Sequence, residues 1–148
     1  MHKITMNYEN FNGEQVSEDL YFHLSKAELL EMNFKAKGGL YNYLQSIINA
    51  HDVATLADLF KELLLKSYGE KTPDGNGFIK TPEIALKFKS SIPFSELYTE
   101  LCTDADKASA FITAIIPKDV MEMYKKAEKE GNIPNDLVDK INIQKKNN

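Results

Sequence analysis

The 148-residue sequence lacks arginine and tryptophan and contains a single cysteine. All eighteen of its basic residues are lysines, so it lacks the side chain best suited to bidentate recognition of bases, phosphates and carboxylates. The formal net charge is −4 and the pI is near 5.4. Because nucleic-acid affinity comes largely from phosphate neutralisation, this balance excludes a general polyanion binder. We expect no nucleic-acid partner.

Features of secreted and membrane-bound proteins are also missing. The lone Cys102 can form neither an internal disulfide nor a cysteine metal cluster. Its place in an apolar helical stripe favours a small buried hydrophobe over a nucleophile. No stretch approaches about 18 consecutive apolar residues, and no apolar signal-peptide core follows Met1. We therefore predict an intracellular protein with no membrane partner.

The residues that are present give an ordinary globular composition, 43% hydrophobic and 27% charged. A chain of this length can bury one core, which predicts a single globular domain over residues 1–131. The polar tail, residues 132–148, is predicted to be partly helical or disordered. The predicted fold class is α+β and mostly α, with an N-terminal two-stranded β-hairpin (residues 3–24) packed on a bundle of five to six helices (residues 25–131).

Alternation of apolar and polar residues predicts the hairpin. A three-residue loop, Phe11-Asn12-Gly13, with Gly13 in the left-handed region, pairs Tyr8 with Val16 and Ile4 with Leu20 on one face. A two-residue turn at Asn12-Gly13 would instead place the two apolar rows on different faces. Because a lone hairpin is marginal in water, its apolar face must lie on helices or extend the sheet of a partner.

Caps and apolar spacing predict the helices. The capping-box sequence Ser25-Lys26-Ala27-Glu28 starts the first helix, and Gly38-Gly39 ends it. Further helices are predicted over residues 40–50, 54–68, 82–88, 93–116 and 120–131, with Gly69 closing the second of these and Thr81 capping the third. Residues 93–116 form one helix or two, and a break would fall at Thr103-Asp104 with Asp104 as a cap. A small break or none is the favoured interpretation.

The stretch "TPDGNGFIKTPE", residues 72–83, aligns with the twelve-residue calcium loop of an EF-hand. Asp74, Asn76 and Glu83 occupy ligand positions, but Thr72 replaces the first aspartate and Lys80 repels a cation. The turn dipeptides Asp74-Gly75 and Asn76-Gly77 favour a structural connection, after which Phe78 and Ile79 re-enter the core. A protein with a single calcium-binding EF-hand remains a remote alternative.

No catalytic constellation is found in the sequence. Motifs of hydrolases, zinc proteases and phosphate loops are missing, and the three histidines, His2, His23 and His51, are too far apart to suggest a metal set. Asp104 and Asp106 would point to different sides of a helix, which favours an N-cap with a first-turn acid. The Met121-x-Met123-Tyr124 stretch is either packing of the last helix or an adaptable partner-binding surface. We predict no enzyme, no catalytic residues, no metal-binding or cofactor-binding residues, and no cofactor.

Several stretches carry a resemblance to a known family. They are "FHLSKAEL" (22–29), "KGGL" (37–40), "LKSYGEK" (65–71), "DGNGFIK" (74–80) and "FSELYTELCTDADKASAFITAIIP" (94–117). They resemble small morphogenesis proteins of tailed phages and prophages of low-GC Gram-positive bacteria that are similar to tail assembly chaperones. The resemblance covers about residues 3–117 and consists mostly of turns, caps and core faces.

This resemblance implies a non-enzymatic, chaperone-like tail assembly protein in the host cytoplasm. It would bind helical apolar segments of the tape-measure protein by helix-in-groove packing, with the tube protein as a further partner. The alternative that the resemblance leaves open is a structural protein of the tail or neck, which would be found in the virion.

Overall fold

The computed structural model describes residues 1–35, 38–39, 42–43, 53–120 and 122. The strands are β1 His2–Glu9, β2 Gln15–Phe22, β3 Tyr68–Lys71 and β4 Phe78–Ile79. The helices of the described ranges are α1 Lys26–Lys35, α2 Val53–Ser67, α3 Pro82–Lys89, α4 Ile92–Thr103 and α5 Ala105–Ile115. This confirms the predicted α+β, mostly α fold with an N-terminal antiparallel hairpin. Most of the predicted helices 40–50 and 120–131, the tail 132–148, His51 and the Met121-x-Met123-Tyr124 stretch lie outside the described residues.

The hairpin has the predicted register. Tyr8 pairs with Val16 and Ile4 pairs with Leu20. The three-residue loop is closed by a bond from the Asn10 amide to the Glu14 carbonyl (2.8 Å), and Gly13 lies in the left-handed region at φ 79°. Apolar side chains of both strands therefore share one face of the sheet.

The sheet continues beyond the hairpin, which the sequence did not indicate. Its strand order is β1-β2-β3-β4, and β2 pairs antiparallel with β3 through Tyr21 and Gly69. The prediction that Gly69 closes a helix was wrong, because α2 already ends at Ser67 and Gly69 lies in β3. A Cβ on Gly69 would lie 2.7 Å from Phe78 Cε2 and 2.9 Å from the Ile79 carbonyl oxygen. The glycine thus permits the close approach of β3 and β4.

Aromatic rings join the sheet to the helices. Phe22, which is fully buried, makes edge-to-face contacts with Tyr68, Phe88 and Phe111 at centroid distances of 5.6, 5.7 and 5.2 Å. Each such pair contributes about 0.5–1.5 kcal/mol beyond its buried area. The core around them contains Leu20, Leu24, Leu29, Met32, Phe60, Leu63, Leu64, Phe94, Leu97, Leu101, Ala108, Ile112, Ile115, Ile116 and Val120.

The long apolar run 93–116 forms two helices separated by Asp104 alone, which is the small break that the favoured interpretation allowed. Asp104 is extended at φ −133° and ψ 103°, which ends α4. Its side chain accepts bonds from the Asp106 and Lys107 amides, each at 3.1 Å, and so caps α5. Asp106 is a first-turn acid, as predicted.

Candidate interaction surface

A polar cluster fixes the start of α1. The Ser25 amide donates to Glu28 Oε1 at 3.0 Å and the Glu28 amide donates to Ser25 Oγ at 3.1 Å, so the predicted capping box is formed. Lys80 Nζ, which follows β4 in the chain, donates to Glu28 Oε2 at 2.6 Å and to the His23 carbonyl at 2.7 Å. The helix is therefore tied both to the end of β2 and to the end of β4.

Burial alone would raise the pKa of the Glu28 carboxyl, but the bonds from Lys80 and Ser25 hold that pKa below its ordinary value. Both side chains are mostly covered, with exposed fractions of 21% for Lys80 and 28% for Glu28. A charge pair in such a setting is screened less than one on the surface. The start of α1 is thus fastened to β2 and β4 by a partly buried charge pair.

Two rows of side chains run along α1. Leu29, Met32 and Asn33 form the buried row, which packs into the core. Leu30 and Phe34 form a second row, and they are 41% and 68% exposed. Because residues four apart lie on the same side of a helix, these two side chains make one apolar ridge that faces outward. Single exposed apolar side chains are common, whereas contiguous apolar patches mark interaction sites, which makes this ridge a candidate.

A small cleft lies between α1 and α2, and its α1 residues, Met32 and Lys35, fall on another side of the helix from Leu30 and Phe34 because each residue turns the helix by about 100°. The cleft has a volume of about 130 Å³ and is lined by Met32, Lys35, Tyr43, Glu62 and Lys66. Burial and the neighbouring Glu62 carboxylate raise the pKa of Tyr43 to about 12, so its hydroxyl remains protonated at neutral pH. We call the ridge of Leu30 and Phe34 the α1 surface. It offers apolar contacts with charged groups around them, as protein interfaces do.

The sequence contained the signal for this ridge. In the sequence, Leu30 and Phe34 fall outside the helical spacing of Leu29 and Met32. Two apolar rows on a short helix indicate that one row is unused by the core. Among the residues that the structure describes, the other large exposed apolar ones are Met1, Phe11 in the hairpin loop, Ile79 on β4 and Leu86 on α3.

The EF-hand-like stretch forms the connection between β3 and β4, as the preferred interpretation predicted. Thr72 Oγ1 donates to Asp74 Oδ1 at 2.5 Å and accepts from the Gly77 amide at 2.9 Å. Asp74 Oδ1 also accepts from the Asn76 amide at 3.0 Å. Across the described ranges, no group of three or more His, Cys, Asp or Glu side chains is arranged to hold a metal ion.

Ile79 corrects one detail of that interpretation, because its side chain is 47% exposed and so does not re-enter the core. It follows Phe78 in the two-residue strand β4, where successive side chains point to opposite faces. Phe78 is partly buried and packs against His23 at a centroid distance of 6.3 Å.

The remaining polar candidates do not converge on one point. His2 contacts Phe111 at a centroid distance of 5.8 Å, while His23 lies against Phe78, and burial lowers the pKa of both imidazoles. Cys102 packs partly buried against the core, as predicted, and burial raises the pKa of its thiol. A raised pKa disfavours the thiolate, which is the reactive form.

A family model described as phage tail assembly chaperone matches residues 1–147. The chain belongs to that family. No curated protein and no solved structure matches it at a significant level. Among the described helices, none combines the length and the apolar character needed to cross a bilayer.

Membership of the tail assembly chaperone family confirms the resemblance inferred from the sequence and implies partners among phage tail proteins. It also indicates a non-enzymatic role. A chaperone acts by covering apolar surface of another protein, which requires apolar surface of its own. The α1 surface of this chaperone meets that requirement.

Proposed function

We propose that the α1 surface binds apolar, helical segments of the tape-measure protein in the host cytoplasm and releases them when the tube protein covers them. The observation that carries this proposal is the outward ridge of Leu30 and Phe34, which the core does not use. Helix-in-groove recognition relies on apolar side chains spaced three or four residues apart, as these are.

The surroundings of the ridge support the same role. Lys35, which is exposed and follows Phe34 in the chain, offers a partner for an acidic residue that flanks an apolar stripe. The Lys80–Glu28 link holds the start of α1 in place, which lowers the entropy lost on binding.

The proposed role is non-enzymatic and requires no cofactor. The chaperone would form a complex with the tape-measure protein before the tube assembles and would not enter the particle. A structural role in the tail or neck makes the opposite prediction, because such a protein stays in the virion.

The test is co-expression with the cognate tape-measure protein. Wild-type chaperone should increase the soluble fraction of that protein and co-purify with it. The double variant Leu30→Ser, Phe34→Ser should lose both effects while keeping its thermal stability, since the changed side chains are exposed. Leu86→Ser is the matched control, because Leu86 is 64% exposed and lies on α3.

Two outcomes would contradict the proposal in different ways. If wild-type chaperone neither dissolves nor binds the tape-measure protein, the proposed partner is wrong. If the double variant binds as well as the Leu86→Ser control, the partner is correct but the α1 surface is not its site. Mass spectrometry of purified particles distinguishes the structural alternative, in which the protein is retained.

A further inference from the structure

The outer edge of the sheet is long and regular. β1 is the first strand in the order β1-β2-β3-β4, and within the described ranges no strand pairs with its outer side. It has eight residues, and its pairing with β2 is continuous from His2 opposite Phe22 to Glu9 opposite Gln15. Edges of this kind are normally protected by a proline, a bulge, a short strand or charged side chains, and of these β1 has only the charges of Lys3 and Glu9 near its two ends.

The hairpin loop fixes which backbone groups face outward. The Asn10 amide bonds to the Glu14 carbonyl, so the even-numbered residues of β1 exchange hydrogen bonds with β2. The odd-numbered residues therefore direct their amides and carbonyls away from the sheet. They are Lys3, Thr5, Asn7 and Glu9, and all four side chains are exposed.

We propose that β1 pairs antiparallel with β1 of a second copy of this chain, with Met6 opposite Met6 at a two-fold axis. In this register Lys3 stands opposite Glu9 of the second copy, and Thr5 stands opposite Asn7. The two-fold axis repeats both pairs, so an ion pair lies at each end of the ladder. Each outward pair also exchanges two backbone hydrogen bonds.

Charge selects this register over its neighbours. Shifting the second copy by two residues in one direction places Thr5 opposite Thr5 and Glu9 opposite Met1, which lies outside β1. The shift in the other direction places Asn7 opposite Asn7 and Lys3 opposite Phe11 of the hairpin loop. Only the proposed register pairs opposite charges and uses the whole strand, and opposite charges directly across a strand pair are stabilising.

The other face of β1 favours the same pairing. Ile4, Met6 and Tyr8 are only partly buried in one copy. In the proposed dimer Ile4 stands opposite Tyr8 of the second copy. Ile4 also lines an apolar cleft of about 310 Å³ with Leu97, Leu101 and Phe111. Tyr8 of the second copy would stand at the wall of this cleft and bury more of it.

The first test is the mass in solution, measured by light scattering after gel filtration. Wild-type protein should have twice the chain mass of 16.8 kDa at around 100 μM, a concentration at which a micromolar Kd gives mostly dimer. Lys3→Glu alone and Glu9→Lys alone each place like charges at both ends of the ladder. Each should weaken self-association by roughly tenfold to a hundredfold. Lys89→Glu, an exposed lysine on α3, is the control and should remain dimeric.

The two charge variants also make a specific prediction together. Mixing Lys3→Glu with Glu9→Lys restores opposite charges at both ends, so an equimolar mixture should form a heterodimer. The double variant Lys3→Glu, Glu9→Lys should again form a homodimer. A monomeric wild type would overturn the proposal, and so would charge variants that stay dimeric or a mixture that stays monomeric.

A backbone test does not depend on charge. Thr5→Pro removes an amide that points outward, so it should abolish the dimer while the hairpin keeps its bonds to β2. Thr5→Ala also loses the hydroxyl that donates to Asp19 but keeps the amide, and should remain dimeric. Circular dichroism checks that both variants fold, and a folded Thr5→Pro dimer would show that β1 is not the interface.

Discussion

Two polar clusters of similar composition differ in what they connect. One joins Ser25, Glu28 and Lys80, and the other joins Thr72, Asp74 and Asn76. Each cluster contains a hydroxyl oxygen that accepts a hydrogen bond from a backbone amide. Each also contains a carboxylate that accepts hydrogen bonds from two or more donors. The first cluster is partly buried and spans 52 residues of sequence between Glu28 and Lys80, whereas the second is exposed and closes a turn of six residues.

The difference shows that burial determines how much similar hydrogen-bonded carboxylates contribute to stability. A carboxylate that water can solvate gains little from a protein donor, because the donor replaces water. At a partly buried carboxylate water cannot take the place of a lost protein donor, so the carboxylate depends on its partner. The second cluster lies in the stretch that resembles an EF-hand, and the first includes Lys80 from the same stretch. Of the cluster residues in that stretch, only Lys80, whose charge a calcium loop would disfavour, hydrogen-bonds to a residue distant in sequence.

Loss of Lys80 should have the largest effect on stability. Lys80→Met keeps the length of the side chain but leaves Glu28 partly buried without its cation and the His23 carbonyl without its donor. We expect the free energy of unfolding to fall by about 3 kcal/mol, the lower end for a broken buried pair, because some solvent reaches the site. Urea denaturation followed by circular dichroism measures this loss.

Lys87→Met is the matched control for that experiment. Lys87 is an exposed lysine on α3, and its replacement should change the free energy of unfolding by less than about 0.5 kcal/mol. Equal effects of the two substitutions would show that the Lys80–Glu28 pair does not stabilise the fold.

Two glycines extend the comparison to the backbone. Gly69→Ala places a methyl group 2.9 Å from the Ile79 carbonyl oxygen, which cannot move without separating β3 from β4. We expect a loss of about 2 kcal/mol from this overpacking. Gly75, in the exposed turn, has open space around it but a φ of 76°, so Gly75→Ala should cost about 1 kcal/mol. Thermal unfolding measures the loss of stability in both variants. A larger loss for Gly75→Ala than for Gly69→Ala would contradict the expected order.

Local patterns were enough to predict much of the fold. The hairpin register followed from alternation and one left-handed glycine, and the capping box at Ser25 and the cap at Thr81 followed from residue type and spacing. The two caps depend on residues only a few positions apart. The hairpin register depends on strands in which a one-residue slip would turn the core-facing side chains toward solvent. Such features can be read from a sequence because few alternatives satisfy them.

The missed features all depend on distant residues. Strand β3 follows α2 without a break and pairs with β2, so Tyr68-Gly69 appeared to end a helix. The partner of Lys80 is 52 residues away. The exposure of Leu30 and Phe34 depends on where the rest of the chain packs around α1. For the candidate site, the sequence therefore predicted the kind of partner but not the surface.

A pH titration should sharpen the contrast through Glu28. Its pKa is depressed in the folded protein, so its contribution to stability is present above the ordinary value of 4.5 and is lost as the pH falls through the folded pKa. Glu28→Gln keeps the capping-box bonds but has no carboxyl to titrate. Wild-type stability should exceed that of Glu28→Gln at pH 7, and the gap should narrow below pH 4.5. Parallel pH profiles of the two proteins would contradict the proposed charge pair.

The exposed turn should give the smallest effect and also decides the calcium alternative. Asp74→Ala removes the acceptor for Thr72 and Asn76, but water can replace it, so the melting temperature should change less than in Lys80→Met or in either glycine variant. Calcium should not raise the melting temperature of the wild type either, because Asp74 Oδ1 already has two donors and Lys80 lies with Glu28. Isothermal titration calorimetry provides the direct measurement. A calcium-binding heat that disappears in both Asp74→Ala and Glu83→Gln would show that this turn opens to form a cation site, and the two clusters would then differ in function as well as in stability.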